Sequence, residues 1–114
     1  MRRVRVVGIL IAAVAAFAGA SFGDDAQVER GKALFGTQGC KLCHSVAGQG
    51  NPKGSLDGIG SKSDAKQLRA WLVTPADMAA KAKSDRKPPM KAFDKLPAAD
   101  LDALVAYLGS LKKT

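Results

Sequence analysis

The sequence predicts a small all-α domain of three to five helices. Apolar residues recur every three to four positions in several segments, and glycine- and proline-rich stretches separate these segments. No segment alternates in the manner of a strand, and there is no internal repeat. The 114 residues are 46% hydrophobic and 25% charged, which is typical of one globular domain. Only 5% are aromatic, so the side-chain core is modest and we expect an additional stabilising element.

The first twenty residues have the composition of a secretory signal peptide. Three arginines precede an uncharged apolar run of fifteen residues, which ends in Ala-Gly-Ala at Ala20. The run is shorter than the roughly 20 residues that span a bilayer. We therefore expect cleavage after Ala20, or as late as Gly23, and export of the remaining chain to the periplasm without a stable membrane span. The folded domain is expected over residues 24–114. An uncleaved tether facing the periplasm is the alternative. Loss of the three arginines lowers the formal charge from +8 to +5, with 15 basic and 10 acidic residues remaining.

The exported part begins with a predicted helix and a long irregular loop. Asp24 and Asp25 are suitable N-cap residues for the helix, and Gly39 is expected to stop it. Residues 45–60 contain five glycines and one proline, which predicts a loop without strands. The apolar face of the helix consists of Val28, Gly31, Leu34 and Phe35.

Three further helices are predicted in the second half of the chain. Ser63 is expected to cap a helix that ends near Thr74, and Pro75–Lys83 is expected to form a short alanine-rich helix. A loop over residues 84–95 follows, and the last helix begins near Pro97 with two lysines at its C-terminal end. Its apolar stripe consists of Leu101, Leu104, Val105, Leu108 and Leu111.

Both cysteines and the one histidine of the chain lie together in the segment CKLCH, from Cys40 to His44. A disulfide between Cys40 and Cys43 closes too small a loop to stabilise much. A structural zinc site needs a fourth ligand, and the chain has no further Cys or His to supply it. A thioredoxin-like pair belongs in a βαβ unit, which a helical chain lacks. The spacing is the signature of covalent haem attachment, in which two thiols join the porphyrin and the adjacent histidine ligates the iron.

A methionine is the expected sixth ligand of such an iron. His44 is the only histidine, and Met1 leaves with the signal peptide, so Met90 and Met78 are the candidates. Met78 lies in the alanine-rich helix, where methionines usually pack. Met90 follows two prolines in a restrained, non-helical segment that suits a weak iron–thioether bond, and we favour it. His/Met ligation raises the reduction potential of a haem.

From about residue 25 onwards, the sequence resembles the class I single-haem c-type cytochromes of the bacterial periplasm. The CKLCH motif, the segment PPMKAF at 88–93 and the closing LVAYL at 104–108 occur in the family's order. The resemblance implies the small cytochrome c fold, with helices packed around one covalently bound haem c, and electron transfer without substrate binding at iron. It also implies that Trp71 lies beside a haem propionate, for which a plain core role is the alternative. The residues that match the family's crossing of first and last helices are Gly31, Phe35, Leu104 and Tyr107.

One position departs from the family pattern. Two residues before the leucine of its glycine-rich loop, the family usually has a proline, whose carbonyl accepts the ring N–H of the proximal histidine. Before Leu56 this sequence has Gly54, and the proline is displaced to Pro52. Either carbonyl is a candidate acceptor for His44, and such an outer contact orients a metal-ligating imidazole.

The resemblance implies a periplasmic electron carrier rather than an enzyme. The alternatives are a haem-c subunit of a larger periplasmic oxidoreductase and a haem enzyme or gas sensor with an open sixth position. Between Lys81 and Lys95 there are six basic and two acidic residues, which gives this stretch a net charge of +4. This stretch predicts either a solvated loop or a docking rim for an acidic redox partner protein. Nucleic-acid binding is not expected, because aromatic residues do not interleave the basic ones.

Overall fold

The computed structural model of the protein describes residues 25–113, and the signal peptide predicted at 1–20 lies outside them. The elements of this part, in chain order, are α1 (Asp25–Thr37), β1 (Ser45–Val46), β2 (Gln49–Gly50), α2 (Ile59–Lys62), α3 (Ala65–Val73), α4 (Pro75–Lys81) and α5 (Ala98–Ser110). Two 3₁₀ turns, Cys40–Leu42 and Pro52–Gly54, flank the hairpin. The predicted all-α class is confirmed.

Helices α1 and α5 form the frame of the molecule by crossing at Gly31. A side-chain carbon on Gly31 would lie only 2.6 Å from Tyr107 Cβ and 2.7 Å from the carbonyl carbon of Ala103. Only glycine permits this approach of the two backbones. The rings of Phe35 and Tyr107 meet edge to face beside the crossing, with centroids 5.6 Å apart. The expected crossing is therefore present, and Leu104 beneath it is 1% exposed.

The core lies between α5, α1 and α3. Burial of these apolar side chains is the main force that holds the short helices together, since isolated helices of this length are marginal in water. The Phe93 side chain, from the loop before α5, completes the buried set. The buried cluster consists of Phe35, Leu68, Leu72, Phe93, Leu101, Leu104, Tyr107 and Leu108.

The N-terminus of α3 corrects one sequence prediction. Asp64, not Ser63, caps this helix: the Asp64 carboxylate accepts from the backbone N–H of Gln67 at 2.8 Å, and the Gln67 side chain accepts from the N–H of Asp64 at 3.0 Å. This reciprocal pair is a capping box. Ser63 instead ends α2, a four-residue helix that the glycine-rich composition did not predict.

Two further predictions of the fold were wrong in detail. Residues 45–60 were expected to lack strands, yet β1 and β2 form a minimal antiparallel hairpin that pairs Ser45 with Gly50 and Val46 with Gln49. Helix α5 ends at Ser110, so Leu111, expected in its apolar stripe, lies just after the helix, and the two lysines follow at this end. Lys112 donates to the Gly60 carbonyl at 2.8 Å, which ties this segment to α2.

Within residues 25–113, no helix combines the length and the apolar character that crossing a membrane requires.

Candidate functional site

The two cysteines lie on a single tight turn that follows α1. Gly39 adopts the left-handed conformation, with φ 75°, and turns the chain into the 3₁₀ segment that begins at Cys40. The Cys40 carbonyl accepts from the backbone N–H of Cys43 at 3.2 Å and from that of His44 at 2.9 Å. Both thiols are free and half-buried. The turn therefore presents two unbonded sulfur atoms from one short segment, with the histidine directly after them.

The surroundings of Cys40 bring in the methionine-bearing loop. Burial raises the pKa of the Cys40 thiol, while a backbone N–H and the positive charge of Lys91 act in the opposite direction. Lys91 lies over the ring of Phe93, 5.1 Å from its centroid. In the same loop, the guanidinium of Arg86 donates to the carbonyl of Cys43, so the segment that contains Met90 meets the cysteine turn there.

The imidazole of His44 is held through one of its two nitrogens. Nδ1 lies 2.9 Å from the carbonyl oxygen of Gly54, and because a carbonyl can only accept, Nδ1 donates. Of the two acceptors considered from the sequence, Gly54 and Pro52, the structure uses Gly54. Burial lowers the pKa of the His44 imidazole, the Gly54 hydrogen bond raises it, and the charge of Arg86 lowers it further. The Nε2 atom is thereby left as the nitrogen that could ligate a metal.

Asn51 holds the histidine segment in place, although no sequence motif marks it as a functional residue. Its backbone N–H bonds to the carbonyls of Lys41 at 3.1 Å and His44 at 3.0 Å, and its side chain donates to the Leu42 carbonyl at 3.2 Å. Its side-chain oxygen also accepts from the N–H of Lys53 at 3.0 Å. One residue thus braces the whole CKLCH turn. The sequence predicted an irregular loop over residues 45–60, but not these contacts.

Arg86 is a second residue that sequence reasoning missed. Its guanidinium donates to the carbonyl oxygen of Cys43, although the two residues are 43 positions apart. It is half-buried, unlike the exposed lysines of the same loop. No sequence pattern indicates this contact, because Arg86 is one of six basic residues in the 81–95 stretch.

The two candidate methionines lie in different environments. Met90 is half-buried and packs against the core cluster, as does Cys40. Its loop is anchored by the backbone N–H of Phe93, which donates to the Leu72 carbonyl at 2.7 Å. Met78 lies within α4 and is half-buried, but it is not among the side chains that pack against the core.

Trp71 lies on α3 and is half-buried. It belongs neither to the buried cluster nor to the partly buried apolar side chains packed against it. Its indole N–H makes no hydrogen bond to another residue of the described range 25–113, so it is available to a polar group outside the helix.

The donor set fits a covalently attached haem. Two free thiols follow each other on one turn, and the adjacent imidazole keeps one nitrogen for a metal. Among residues 25–113, no group of three or more His, Cys, Asp or Glu side chains is arranged to hold a metal ion by itself. A haem requires no such group, because the porphyrin supplies the four equatorial ligands. Several apolar side chains at the border of the core are only partly buried, among them Val46, Leu56, Ile59, Val73 and Leu96.

The basic stretch lies on the surface. All five of its lysines are exposed, and so are its two aspartates. The ion pairs formed within the described part of the chain are Arg30–Asp100 and Arg69–Asp102, and neither involves this stretch. Its net positive charge is therefore not neutralised by neighbouring carboxylates of that part.

Comparison with known families identifies one match, the family described as Cytochrome c, whose model aligns with residues 28–112. The matched range starts within α1 and ends after α5, so it includes every residue of the site described above. A comparison with curated proteins found no match, and a comparison with solved structures found none either.

Proposed function

Since the chain belongs to the cytochrome c family, we propose that it carries single electrons in the periplasm on one haem c with His44 and Met90 as axial ligands. An electron-transfer role on haem c is what the family supports. The observation that carries the finer proposal is the hydrogen bond from His44 Nδ1 to Gly54, because it fixes the imidazole with Nε2 free for iron.

The cysteine turn would hold the cofactor. Cys40 and Cys43 would each form a thioether with the porphyrin, and His44 would ligate the iron from the same segment. When bound, the haem supplies an iron that alternates between the ferrous and ferric states. The chain's own contribution is to fix the imidazole through Gly54 and the turn through Asn51, so that little rearranges when the charge changes.

Met90 is the proposed sixth ligand. Its side chain packs against the core, as does Cys40, and Arg86 of the same loop donates to the Cys43 carbonyl. The hydrogen bond from Phe93 to Leu72 restrains the loop that would have to hold a weak iron–thioether bond. A thioether in this position leaves no site on iron for a substrate, which favours a carrier over an enzyme or gas sensor.

Visible and EPR spectra of the holoprotein test the ligand assignment. Met90→Ala should remove the near-infrared absorption that marks an iron–methionine bond and allow rapid CO binding to the ferrous form. Met78→Ala is the matched control, and its spectra should equal those of the wild type. An unchanged sixth ligand in Met90→Ala would refute the assignment. Rapid, stoichiometric CO binding by the wild type would refute the carrier function.

Trp71 is proposed to lie beside a haem propionate. Its half-buried position outside the core cluster and its available indole N–H support this role. Trp71→Phe keeps the bulk of the ring and removes the donor, so the pKa of a propionate should rise. A reduction potential with the same pH dependence in both proteins would argue against the contact.

The exposed basic stretch between Lys81 and Lys95 is proposed to dock an acidic redox partner. Long-range attraction would raise the association rate at low salt. Electron-transfer rates with an acidic partner should therefore fall steeply as ionic strength rises, and Lys87→Glu should flatten this dependence. Lys66→Glu, which changes an exposed lysine of α3, controls for net charge. Rates that do not change with salt would contradict the docking role, and co-purification with a partner at high salt would indicate a bound subunit instead of a shuttle.

A further inference from the structure

Arg86 connects the two segments that carry the proposed axial ligands. It belongs to the loop over residues 84–95 that contains Met90, and its guanidinium donates to the carbonyl of Cys43, the residue before His44. Near Cys43, therefore, a side chain of the methionine loop is bonded to the backbone of the histidine segment.

Gly54 provides the space for this contact. A side-chain carbon on Gly54 would lie 2.8 Å from Nη2 of Arg86 and in still closer conflict with its Nη1 and with the Cys43 carbonyl oxygen. Residue 54, whose carbonyl accepts from His44, must therefore be a glycine if the Arg86 guanidinium is to reach the Cys43 carbonyl. The chain thus has glycine instead of the family's usual proline at the position against which the Arg86 guanidinium packs.

The charge of Arg86 is held in place and is not balanced locally. Guanidinium groups stay protonated at all ordinary pH values. The other two arginines of the described range, Arg30 and Arg69, each pair with an aspartate, whereas Arg86 has no carboxylate within ion-pair distance there. It is also half-buried, so water screens it less than the lysines around it.

We propose that Arg86 is a positioning residue that ties the Met90 loop to the His44 segment and holds a positive charge beside His44 that favours the ferrous state. Oxidation adds one positive charge to the iron, and a nearby fixed positive charge opposes it. Two unit charges about 10 Å apart, at an effective dielectric constant of about 20, change an equilibrium roughly tenfold. The inference rests on the proposed function, because it needs the haem to be attached.

The test is the equilibrium of the holoprotein with a redox mediator of known potential. Arg86→Gln should lower the constant for reduction roughly tenfold, and Lys87→Gln, which removes the same charge from an exposed neighbour, should change it less than about twofold. Arg86→Lys keeps the charge and should restore most of the constant. Gly54→Ala, which pushes the guanidinium away, should shift the constant in the same direction as Arg86→Gln. The near-infrared methionine absorption should weaken in Arg86→Gln and not in Lys87→Gln.

The proposal is overturned if Arg86→Gln and Lys87→Gln have equal constants, or if Arg86→Lys behaves like Arg86→Gln. If the Arg86→Gln protein cannot be produced in folded form, the Gly54→Ala variant provides the test. A wild-type constant for reduction together with an undiminished methionine absorption in Gly54→Ala would overturn the proposal. A pyridine haemochrome spectrum of the wild type is recorded first. Absence of haem c there would refute the proposed function, whereas unchanged constants in a haem-containing variant refute only the role of Arg86.

Discussion

Replacing Gly31 by alanine tests the close crossing of α1 and α5. The new methyl carbon would lie 2.6 Å from Tyr107 Cβ and 2.7 Å from the Ala103 carbonyl carbon, far inside van der Waals contact. One of the two obstacles is backbone, so the helices must move apart. Overpacking of this kind typically costs about 1–3 kcal/mol. Alanine regains about 1 kcal/mol of helix propensity, which offsets only part of it.

Gly36 offers a matched control in the same helix. A side-chain carbon there meets nothing within 4 Å, so Gly36→Ala gains the propensity without any clash. We expect Gly31→Ala to lower the free energy of unfolding by up to about 2 kcal/mol, and Gly36→Ala to raise it by about 0.5–1 kcal/mol. For a domain of this size, 1 kcal/mol corresponds to about 4–8 °C in Tm.

Guanidinium titrations of the oxidised holoprotein, followed by far-UV circular dichroism, measure both variants. Their midpoints should move in opposite directions while the slope of the transition stays constant. If both midpoints rise, the helices do not approach as closely as the structure shows, and the role of Gly31 at the crossing fails.

Three further predictions concern stability. Asp64→Ala should cost about 1 kcal/mol because it removes the cap of α3, whereas Ser63→Ala should be nearly neutral; equal losses in denaturant titrations would contradict the capping box. Arg30 and Asp100 join α1 to α5, and a double-mutant cycle should give a coupling of up to about 1 kcal/mol, since the Arg30 side chain is 59% exposed; a coupling of several kcal/mol would contradict this. Burial, with two nearby carboxylates, raises the pKa of the Tyr107 phenol above its ordinary value of 10.0. The stabilisation contributed by the protonated Tyr107 phenol is therefore fully present below pH 10 and decreases as the pH rises further. Stability should fall less above pH 10 in Tyr107→Phe than in the wild type, and equal slopes would refute the assignment.

The parts of the molecule predicted correctly from the sequence depend on local or strongly periodic signals. The CKLCH segment concentrates its chemistry in five adjacent residues, so the cytochrome c family could be inferred from it without knowledge of the rest of the fold. Gly31 and Tyr107 lie in long amphipathic helices, and their family positions anticipated the crossing. The helical class followed from the same periodicity.

One error and one choice left open arise where neighbouring residues compete for one role. Ser63 and Asp64 are both good N-cap residues, and only the backbone decides which one reaches the N–H of Gln67. In the same way Pro52 and Gly54 each have a carbonyl that could accept from His44. In the 3₁₀ turn that ends at Gly54, it is the Gly54 carbonyl that accepts. Composition does not distinguish such neighbours, because their chemistry is equivalent.

Contacts between distant residues were beyond the reach of sequence patterns. Arg86 meets Cys43 across 43 positions, and Lys112 meets Gly60 across 52. Each is a basic residue whose propensity and hydropathy are those of any exposed arginine or lysine. Their specific roles follow from the fold, which brings a backbone carbonyl within reach.

The two segments that carry the proposed axial ligands are anchored separately, which is why a link between them would matter. Hydrogen bonds from Asn51 hold the His44 segment beside the hairpin, while the hydrogen bond from the backbone of Phe93 to that of Leu72 holds the Met90 loop against α3. These anchors belong to different parts of the chain, so either segment could shift without the other. A reversible carrier needs both ligands to stay in place as the iron changes charge, because each rearrangement slows electron transfer. A direct bond from Arg86 to the backbone beside His44 reduces that freedom at the point where the two segments meet.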